Sequence, residues 1–316
     1  MKSKIYIATG VVILIVIIFI VAIMGSHSNS VGDNSNSAVT NNTKIIKIVA
    51  AENFWGSLIS QLGGTHVQVL SIVSDPNADP HEYASSTESA RAIANADYII
   101  VNGAGYDDWA NKLIGAGVKP NCKVLSVAKL LGKKEGDNPH FWYSPDYVNQ
   151  TMKQMESDLI SIDPANASDY EQNYANLQLS LEQYQNRIAK IKQQFNGTQV
   201  AATEDIFAYL AEPAGLNLIS PPAFTQAVAE GNDPSAQSVV QFETQLKSGN
   251  VSLLVYNKQT VSPITEKMKE IAAEQGIPVI GITETIQPPD ASFQNWMNSE
   301  LISIQNALNA KIPGSK

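Results

Sequence analysis

Short runs of β-branched and aliphatic residues alternate with amphipathic helical stretches along most of the chain, and this alternation restricts the fold more than any other feature. Such runs predict buried strands of a parallel sheet, because parallel neighbours are joined by crossover helices. The alternation occurs twice, so we predict an α/β fold with two lobes, each with a mostly parallel sheet flanked by helices. The predicted strands are Ile45–Ala50, Val67–Val73, Tyr98–Val101 and Lys123–Leu125 in the first lobe, and Gln199–Ala202, Leu216–Ile219, Leu253–Tyr256 and Pro278–Ile280 in the second. The clearest predicted helices are Phe54–Leu62, Glu88–Asn95, Val239–Leu246 and Ile264–Glu274.

The most regular helical pattern of the chain separates the two lobes. Its apolar residues recur at alternating spacings of four and three, which places them in one stripe along a single helix. Pro164 and Ser168 suit its start and Gly197 its end. A stripe this short favours a rigid helix packed along both lobes over a coiled coil with a partner helix, so we expect a monomer. The stripe consists of Tyr170, Tyr174, Leu177, Leu181, Tyr184, Ile188, Ile191 and Phe195.

The beginning of the chain differs in composition from the rest. Met1–Lys4 is basic, and residues 5–24 form a mainly apolar run of 20 residues, long enough to cross a bilayer as a helix. Lysines before this run and none just after it place the remainder of the chain outside the cytoplasm. An uncleaved membrane anchor is favoured over a cleaved signal segment, because no clear cleavage site follows. Residues 25–44 are rich in Ser, Asn and Gly, which predicts a flexible linker.

These patterns divide the chain into five segments. They are an anchor or signal segment (1–24), a linker (25–44), an N-terminal α/β lobe (45–163), a connecting helix (164–197) and a C-terminal α/β lobe (198–316). The net charge of −9 argues against nucleic acid as a partner, because phosphate binding requires a basic surface. The single cysteine, Cys122, excludes a disulfide within the chain, a lipid-modified cysteine after the apolar run and a thiolate metal site. We expect Cys122 to be a small buried hydrophobic side chain.

Candidate functional residues follow the predicted strands, where open α/β sheets bind their ligands. His81 and His140 come from the first lobe, and Glu204 and Glu284 follow the first and last strands of the second. Both histidines directly follow a proline, which fixes the backbone and lowers the entropic cost of presenting an imidazole. His66, which precedes a strand, is expected to be an exposed turn residue instead.

Two neutral imidazoles and two carboxylates balance the charge of a divalent cation and can close a tetrahedral shell. A closed shell leaves no position for a substrate water, so this set favours metal capture over catalysis. Imidazole with carboxylate suits Zn²⁺, Mn²⁺ or Fe²⁺, and the lack of thiolates argues against copper(I).

The same residues resemble a known family, the metal-binding solute-binding proteins of zinc and manganese ABC transporters (family 9, or cluster A-I), whose lobes are joined by a rigid helix. The resemblance covers residues 45–312. It implies that His81, His140, Glu204 and Glu284 bind the metal, with Asp205 and Asp290 as less favoured substitutes for Glu284. The motifs that carry it are Leu62-Gly-Gly-Thr, Asp79-Pro-His-Glu-Tyr83, Ala96-Asp-Tyr-Ile-Ile-Val-Asn-Gly103, Trp109, Asn138-Pro-His-Phe-Trp142, the helix residues Pro164, Tyr170 and Asn173, Glu204-Asp-Ile-Phe-Ala-Tyr209, Asp233-Pro-Ser235 and Gly276-Ile-Pro278.

Two departures bear on the metal. Many zinc-type members have histidine where this chain has Glu204, and a glutamate there is similar to the manganese-type members. The stretch 131–137 also lacks the histidines that some zinc-type members carry before the second ligand motif. Zn²⁺ and Mn²⁺ therefore both stay open, with Fe²⁺ as a further possibility.

The resemblance implies an extracytoplasmic protein that captures a transition metal and delivers it to the permease of an ABC transporter, and that is not an enzyme. An extracytoplasmic metalloenzyme or an adhesin on the same fold is the alternative. The sequence has neither a His-Glu-x-x-His helix nor a Gly-x-Ser-x-Gly elbow, which argues against the first of these.

Overall fold

Two sheets, each of four parallel strands, form the centre of the structure, a computed structural model that describes residues 45–76 and 83–311. The strands are β1 (Ile46–Glu52), β2 (Val67–Val73), β3 (Tyr98–Val101), β4 (Lys123–Ser126), β5 (Gln199–Ala202), β6 (Asn217–Leu218), β7 (Leu254–Asn257) and β8 (Val279–Ile282). Their order is β2-β1-β3-β4 in the first sheet and β6-β5-β7-β8 in the second. The predicted α/β fold with two parallel sheets is therefore confirmed, and no predicted strand end differs from the structure by more than two residues.

Burial explains why the central strands are continuous apolar runs. All four residues of β3 are buried, and in β1 only Lys47 is exposed, because helices cover both faces of a parallel sheet. The edge strand β2 instead alternates between more and less exposed residues over its first four positions.

Helices connect the strands and cover the sheets. The four predicted helices are present, and the two long helices Pro145–Ile162 and Phe293–Lys311 are additional. The described helices are α1 (Asn53–Gly63), α2 (Thr87–Ala94), α3 (Asp108–Ala116), α4 (Val127–Leu130), α5 (Pro145–Ile162), α6 (Ala167–Phe195), α7 (Ala208–Ala211), α8 (Pro222–Ala229), α9 (Ala236–Lys247), α10 (Pro263–Glu274) and α11 (Phe293–Lys311).

The long helix α6 connects the two halves, as the stripe predicts. Every residue of the stripe is buried except Tyr174, which is partly buried and packs against the core. A 3₁₀ turn at Pro164–Asn166 precedes the helix, and Gly197, with φ of 76°, follows it. The stripe packs against α11, α5 and α1 of the same chain, so it needs no partner helix.

Two side chains tie the start of α6 to the first sheet. The Nε2 atom of His66 lies 2.8 Å from Oδ2 of Asp169, and the His66 side chain is only 15% exposed, so the expectation that it is an exposed turn residue is wrong. The side chain of Asn173 donates a hydrogen bond to the carbonyl of Leu62 at 3.0 Å. The helix is thereby fixed to the loop between α1 and β2.

One hydrophobic core joins both sheets. Its largest cluster contains Ile48 and Phe54 of the first half together with Val200, Val255 and Leu301 of the second. The lobe boundaries at residues 163 and 198 remain predictions. Cys122 is half-buried at the edge of a smaller cluster, where burial raises the pKa of its thiol.

In the described parts of the chain, no helix is both long enough and apolar enough to span a bilayer. The predicted anchor (1–24) and linker (25–44) lie outside these residues.

Candidate metal site

Three of the four predicted ligands meet at one point between the sheets. His140, Glu204 and Glu284 each offer an atom that lies within 4.8 Å of those of the other two. The Nε2 atom of His140 is 3.4 Å from Oε1 of Glu204, about the separation of two ligands on a tetrahedral zinc ion. All three side chains are at most 1% exposed. His81, the fourth predicted ligand, lies outside the described residues.

The folding of the strands accounts for this convergence. Glu204 lies two residues beyond the end of β5, and Glu284 lies two residues beyond the end of β8. Parallel strands of one sheet end at the same edge, so both carboxylates point from one edge of the second sheet. His140 comes from the first half, immediately before a 3₁₀ turn at Phe141–Tyr143, and reaches the same point from the other side.

The imidazole of His140 is held by its other nitrogen. Its Nδ1 lies 2.9 Å from Oδ1 of Asn138 and 3.1 Å from Oδ1 of Asp205. Asn138 also accepts the His140 backbone N–H at 2.9 Å and donates to the Asp205 carbonyl at 2.7 Å. With Nδ1 occupied by these acceptors, Nε2 is the nitrogen directed at Glu204 and is suited to bind a metal.

The two substitutes considered for Glu284 lie in different places. Asp205 contacts the outer nitrogen of His140, so it supports the cluster from one side. Asp290 is exposed and lines a separate surface cavity with Asn53 and Ser57. Only Glu284 is part of the cluster.

Neutral side chains hold the two carboxylates, and the sequence pattern did not indicate them. The Tyr106 hydroxyl donates to Oε2 of Glu284 at 2.6 Å. The Asn257 side-chain amide donates to Oε1 of Glu284 at 2.5 Å and to Oε2 of Glu204 at 3.1 Å. Gln259 accepts the backbone N–H of Glu284 at 2.7 Å. Asn257 ends β7, so a search of strand ends for amides as well as for acids and histidines would have found it.

The site concentrates negative charge around one imidazole. Burial lowers the pKa of His140, but the hydrogen bond and charge of Asp205 and the charges of Glu284 and Glu204 outweigh it and raise the pKa to about 9. Burial and the charge of Glu284 raise the pKa of Glu204 to about 8, against the opposing effects of His140 and Asn257. A divalent cation that binds here has to displace the protons held by these groups.

Two further acids are buried next to the site. Glu52, the last residue of β1, is fully buried, and burial followed by the charge of Asp107 raises its pKa well above the ordinary value. Burial also raises the pKa of Asp107 to about 6, although its carboxylate accepts the backbone N–H groups of Asn102 and Gly103. The first half of the molecule therefore adds two buried carboxylates, those of Glu52 and Asp107, next to the cluster.

A cleft of about 350 Å³ lies beside the cluster. On one side it is lined by Tyr106, Asn138 and Asp205, which all contact Glu284 or His140. Glu135 and Glu230 line it as well, so its wall is acidic and attracts cations.

Besides this arrangement of a buried histidine and two glutamates, most of the chain is similar in sequence to a known protein family. The family model described as ZnuA, zinc-uptake complex component A, periplasmic, matches residues 48–307. The chain belongs to this family. It is 23% identical over 320 residues to the manganese ABC transporter substrate-binding lipoprotein PsaA of Streptococcus pneumoniae, covering 92% of this chain and 97% of that protein.

The names of two other relatives specify iron and zinc instead of manganese. The iron ABC transporter substrate-binding lipoprotein MtsA of Streptococcus pyogenes serotype M1 is 24% identical over 296 residues, which cover 87% of this chain and 93% of MtsA. The high-affinity zinc uptake system protein ZnuA of Bacillus subtilis (strain 168) is 22% identical over 263 residues, with 74% and 79% of the two chains covered.

Solved structures share the fold. A crystal structure of ZnuA superposes with a TM-score of 0.67 at 25% identity, covering 84% of this chain and 100% of that chain. The manganese-bound periplasmic metal binding protein from Candidatus Liberibacter asiaticus superposes with a TM-score of 0.68 at 20% identity, covering 83% and 99%.

Proposed function

We propose that this protein captures a divalent transition metal ion outside the cytoplasm and delivers it to the permease of an ABC transporter. The convergence of His140, Glu204 and Glu284 at one buried point carries the proposal. One imidazole and two carboxylates form a donor set for a cation. The named relatives PsaA, MtsA and ZnuA support the metal-uptake role.

The fourth ligand in this proposal is His81. Its Pro-His frame is shared with His140, and the resemblance to the family assigns both histidines to the metal. Two imidazoles and two carboxylates give a neutral complex with Zn²⁺, Mn²⁺ or Fe²⁺. Four protein ligands can close the shell of a tetrahedral ion, and a closed shell supports binding and release rather than catalysis.

Delivery requires the protein to stay near the membrane. The relatives PsaA and MtsA are named lipoproteins, but the single cysteine of this chain is Cys122, far from the N-terminal apolar run. We therefore propose that the apolar segment 5–24 is the anchor and that residues 25–44 are a tether long enough for the metal-loaded body to reach a permease. The partner is the cognate permease, and the body acts as a monomer.

Elemental analysis of the purified full chain tests the function directly. We expect about one Zn, Mn or Fe per chain, and competition between Zn²⁺ and Mn²⁺ then ranks the metals. A chain that stays free of metal after exposure to Zn²⁺, Mn²⁺ and Fe²⁺ would rule the proposal out. Hydrolysis of generic esters or phosphoesters by the metal-loaded protein would favour the enzyme alternative instead.

Ligand variants test the site. His140→Ala and Glu284→Gln should each remove most of the metal affinity, and His81→Ala should do the same if it supplies the fourth ligand. His66→Ala is the matched control, because His66 pairs with Asp169 and is not part of the cluster. Full affinity in His81→Ala would remove His81 from the proposed ligand set.

A further inference from the structure

The side chain of Asn257 lies between the two carboxylates of the cluster. It is fully buried at the end of β7. Its Nδ2 atom is 2.5 Å from Oε1 of Glu284 and 3.1 and 3.3 Å from the two oxygens of Glu204. One amide nitrogen thus contacts both acidic ligands, which are 80 residues apart in the sequence.

We propose that Asn257 is a positioning residue that holds Glu204 and Glu284 beside His140 and restricts Glu284 to one oxygen on the metal, and that it thereby favours zinc over manganese. The inference rests on the proposed function, because it assigns a role toward the metal that His140 and these two glutamates bind.

The orientation of the amide is fixed by the neighbouring backbone. Oδ1 of Asn257 accepts the backbone N–H of Gln259 at 2.9 Å. A flipped amide would lose this bond and would direct its carbonyl oxygen at two carboxylates. The NH₂ group therefore has to face Glu204 and Glu284.

The amide restricts rotation of both carboxylates. Its two hydrogens are shared among acceptors on Glu284, Glu204 and Thr260, whose Oγ1 lies 3.0 Å away. The second oxygen of Glu284 is occupied by the Tyr106 hydroxyl. If Glu284 turned to place both oxygens on a metal, it would leave these two donors, so binding through one oxygen of Glu284 is the geometry they support.

This restriction distinguishes the two metals. Zinc is satisfied by four ligands, whereas manganese prefers about six, mainly oxygens. One oxygen of Glu284 beside Glu204 and His140 suits the low coordination number of zinc. Manganese gains ligands only if a carboxylate turns or water enters, and turning is what Asn257 opposes.

Asn257→Leu in the full chain tests the inference, because leucine keeps the size and removes the donors. We expect its zinc affinity to fall by about 10- to 100-fold, as for other residues that hold a ligand. Its manganese affinity should fall less, so the zinc-to-manganese affinity ratio, measured by competition with a chelating dye, should fall at least about threefold. A residue that only supported the fold would lower both affinities alike and leave the ratio unchanged.

Asn173→Leu is the matched control. Asn173 is a partly buried asparagine whose amide donates to the backbone carbonyl of Leu62, and it is not part of the cluster. Both metal affinities should stay at the wild-type level. If Asn257→Leu does not fold, Asn257→Ser is measured instead, because its hydroxyl is too short to reach both acids.

The outcomes separate this inference from the proposed function. An unchanged or raised zinc-to-manganese ratio in the Asn257 variant overturns the positioning role while wild-type binding stands. Wild-type protein that binds neither ion overturns the proposed function.

Discussion

At the scale of single residues, His140 determines how binding depends on protons. It lies between Asp205 on Nδ1 and Glu204 on Nε2, fully buried. The raised pKa values of His140, about 9, and Glu204, about 8, mean that the metal-free cluster holds protons at neutral pH. A metal ion binds the deprotonated forms of both, so it must displace these protons.

Metal affinity should therefore rise with pH between about 6 and 8. Below both raised pKa values the ligands are protonated, and each proton displaced adds about tenfold in affinity per pH unit. Zinc titrations at pH 6, 7 and 8 in buffers of different ionisation enthalpy measure both the affinity and the number of protons released. An affinity that does not change over this range would show that His140 and Glu204 are already deprotonated in the metal-free protein.

Tyr143 provides a second prediction at this scale. The single proton of its hydroxyl is shared between Oε2 of Glu300 at 2.7 Å and the carbonyl of Thr283 at 2.8 Å, which links the segment of His140 to that of Glu284. Tyr143→Phe removes this buried bond to a carboxylate and should lower the free energy of unfolding by roughly 2 kcal/mol.

Tyr184→Phe is the control for that measurement. The Tyr184 hydroxyl is equally buried, but it has no hydrogen-bond partner in the described structure. Its removal should leave stability unchanged or slightly higher in urea denaturation. Equal losses in the two variants would mean that the Tyr143 bonds contribute nothing beyond packing.

The candidate site could be predicted from the sequence only in part. Histidines in a Pro-His frame and acids just after strands stand out, and His140, Glu204 and Glu284 do meet. Tyr106 and Asn257 could not be found in this way. They are neutral, and their importance comes from contacts with residues 178 and 53 positions away in the sequence.

At the scale of elements, the strands were predictable and two long helices were not. Buried parallel strands are continuous apolar runs that stand out from the pattern. The buried face of α5 includes Glu156 and Asp158, and that of α11 includes Glu300, so their apolar stripes are interrupted. Asp158 and Glu300 have partners from other elements, the hydroxyls of Tyr98 and Tyr143, and such partners are defined only by the tertiary fold.

Two leucines of α6, one buried and one exposed, allow the contribution of the buried stripe to stability to be measured within one helix. Leu181 belongs to the stripe and is 1% exposed, whereas Leu179, on the same helix, is 63% exposed. Leu181→Ala should destabilise the protein by about 2–5 kcal/mol through lost burial and a cavity. Leu179→Ala should change stability by less than about 0.5 kcal/mol. Midpoints of urea unfolding, compared at an unchanged m-value, measure both losses of stability. Similar losses in the two variants would argue against the packing of α6 along the core.

At the scale of the whole molecule, both sheets rest on one hydrophobic core. The largest cluster runs from Ile46 in β1 to Leu308 in α11 and includes the stripe of α6. Trp55 and Trp142 lie in its first half and Trp296 in its second. The two halves should therefore unfold together, and a ligand that bridges them should stabilise both.

Zinc binding should consequently shift one common transition. A ligand that binds only the folded protein stabilises it by about 2.7 kcal/mol at 100 times its dissociation constant, or roughly 5 to 10 °C for a chain of this size. Tryptophan fluorescence and far-ultraviolet circular dichroism should report the same rise in midpoint, because the metal joins His140 of one half to Glu204 and Glu284 of the other. His140→Ala should remove the rise, while His66→Ala should retain it. If zinc shifted only one of the two signals, the metal would stabilise a single half, and the bridging geometry of the site would have to be abandoned.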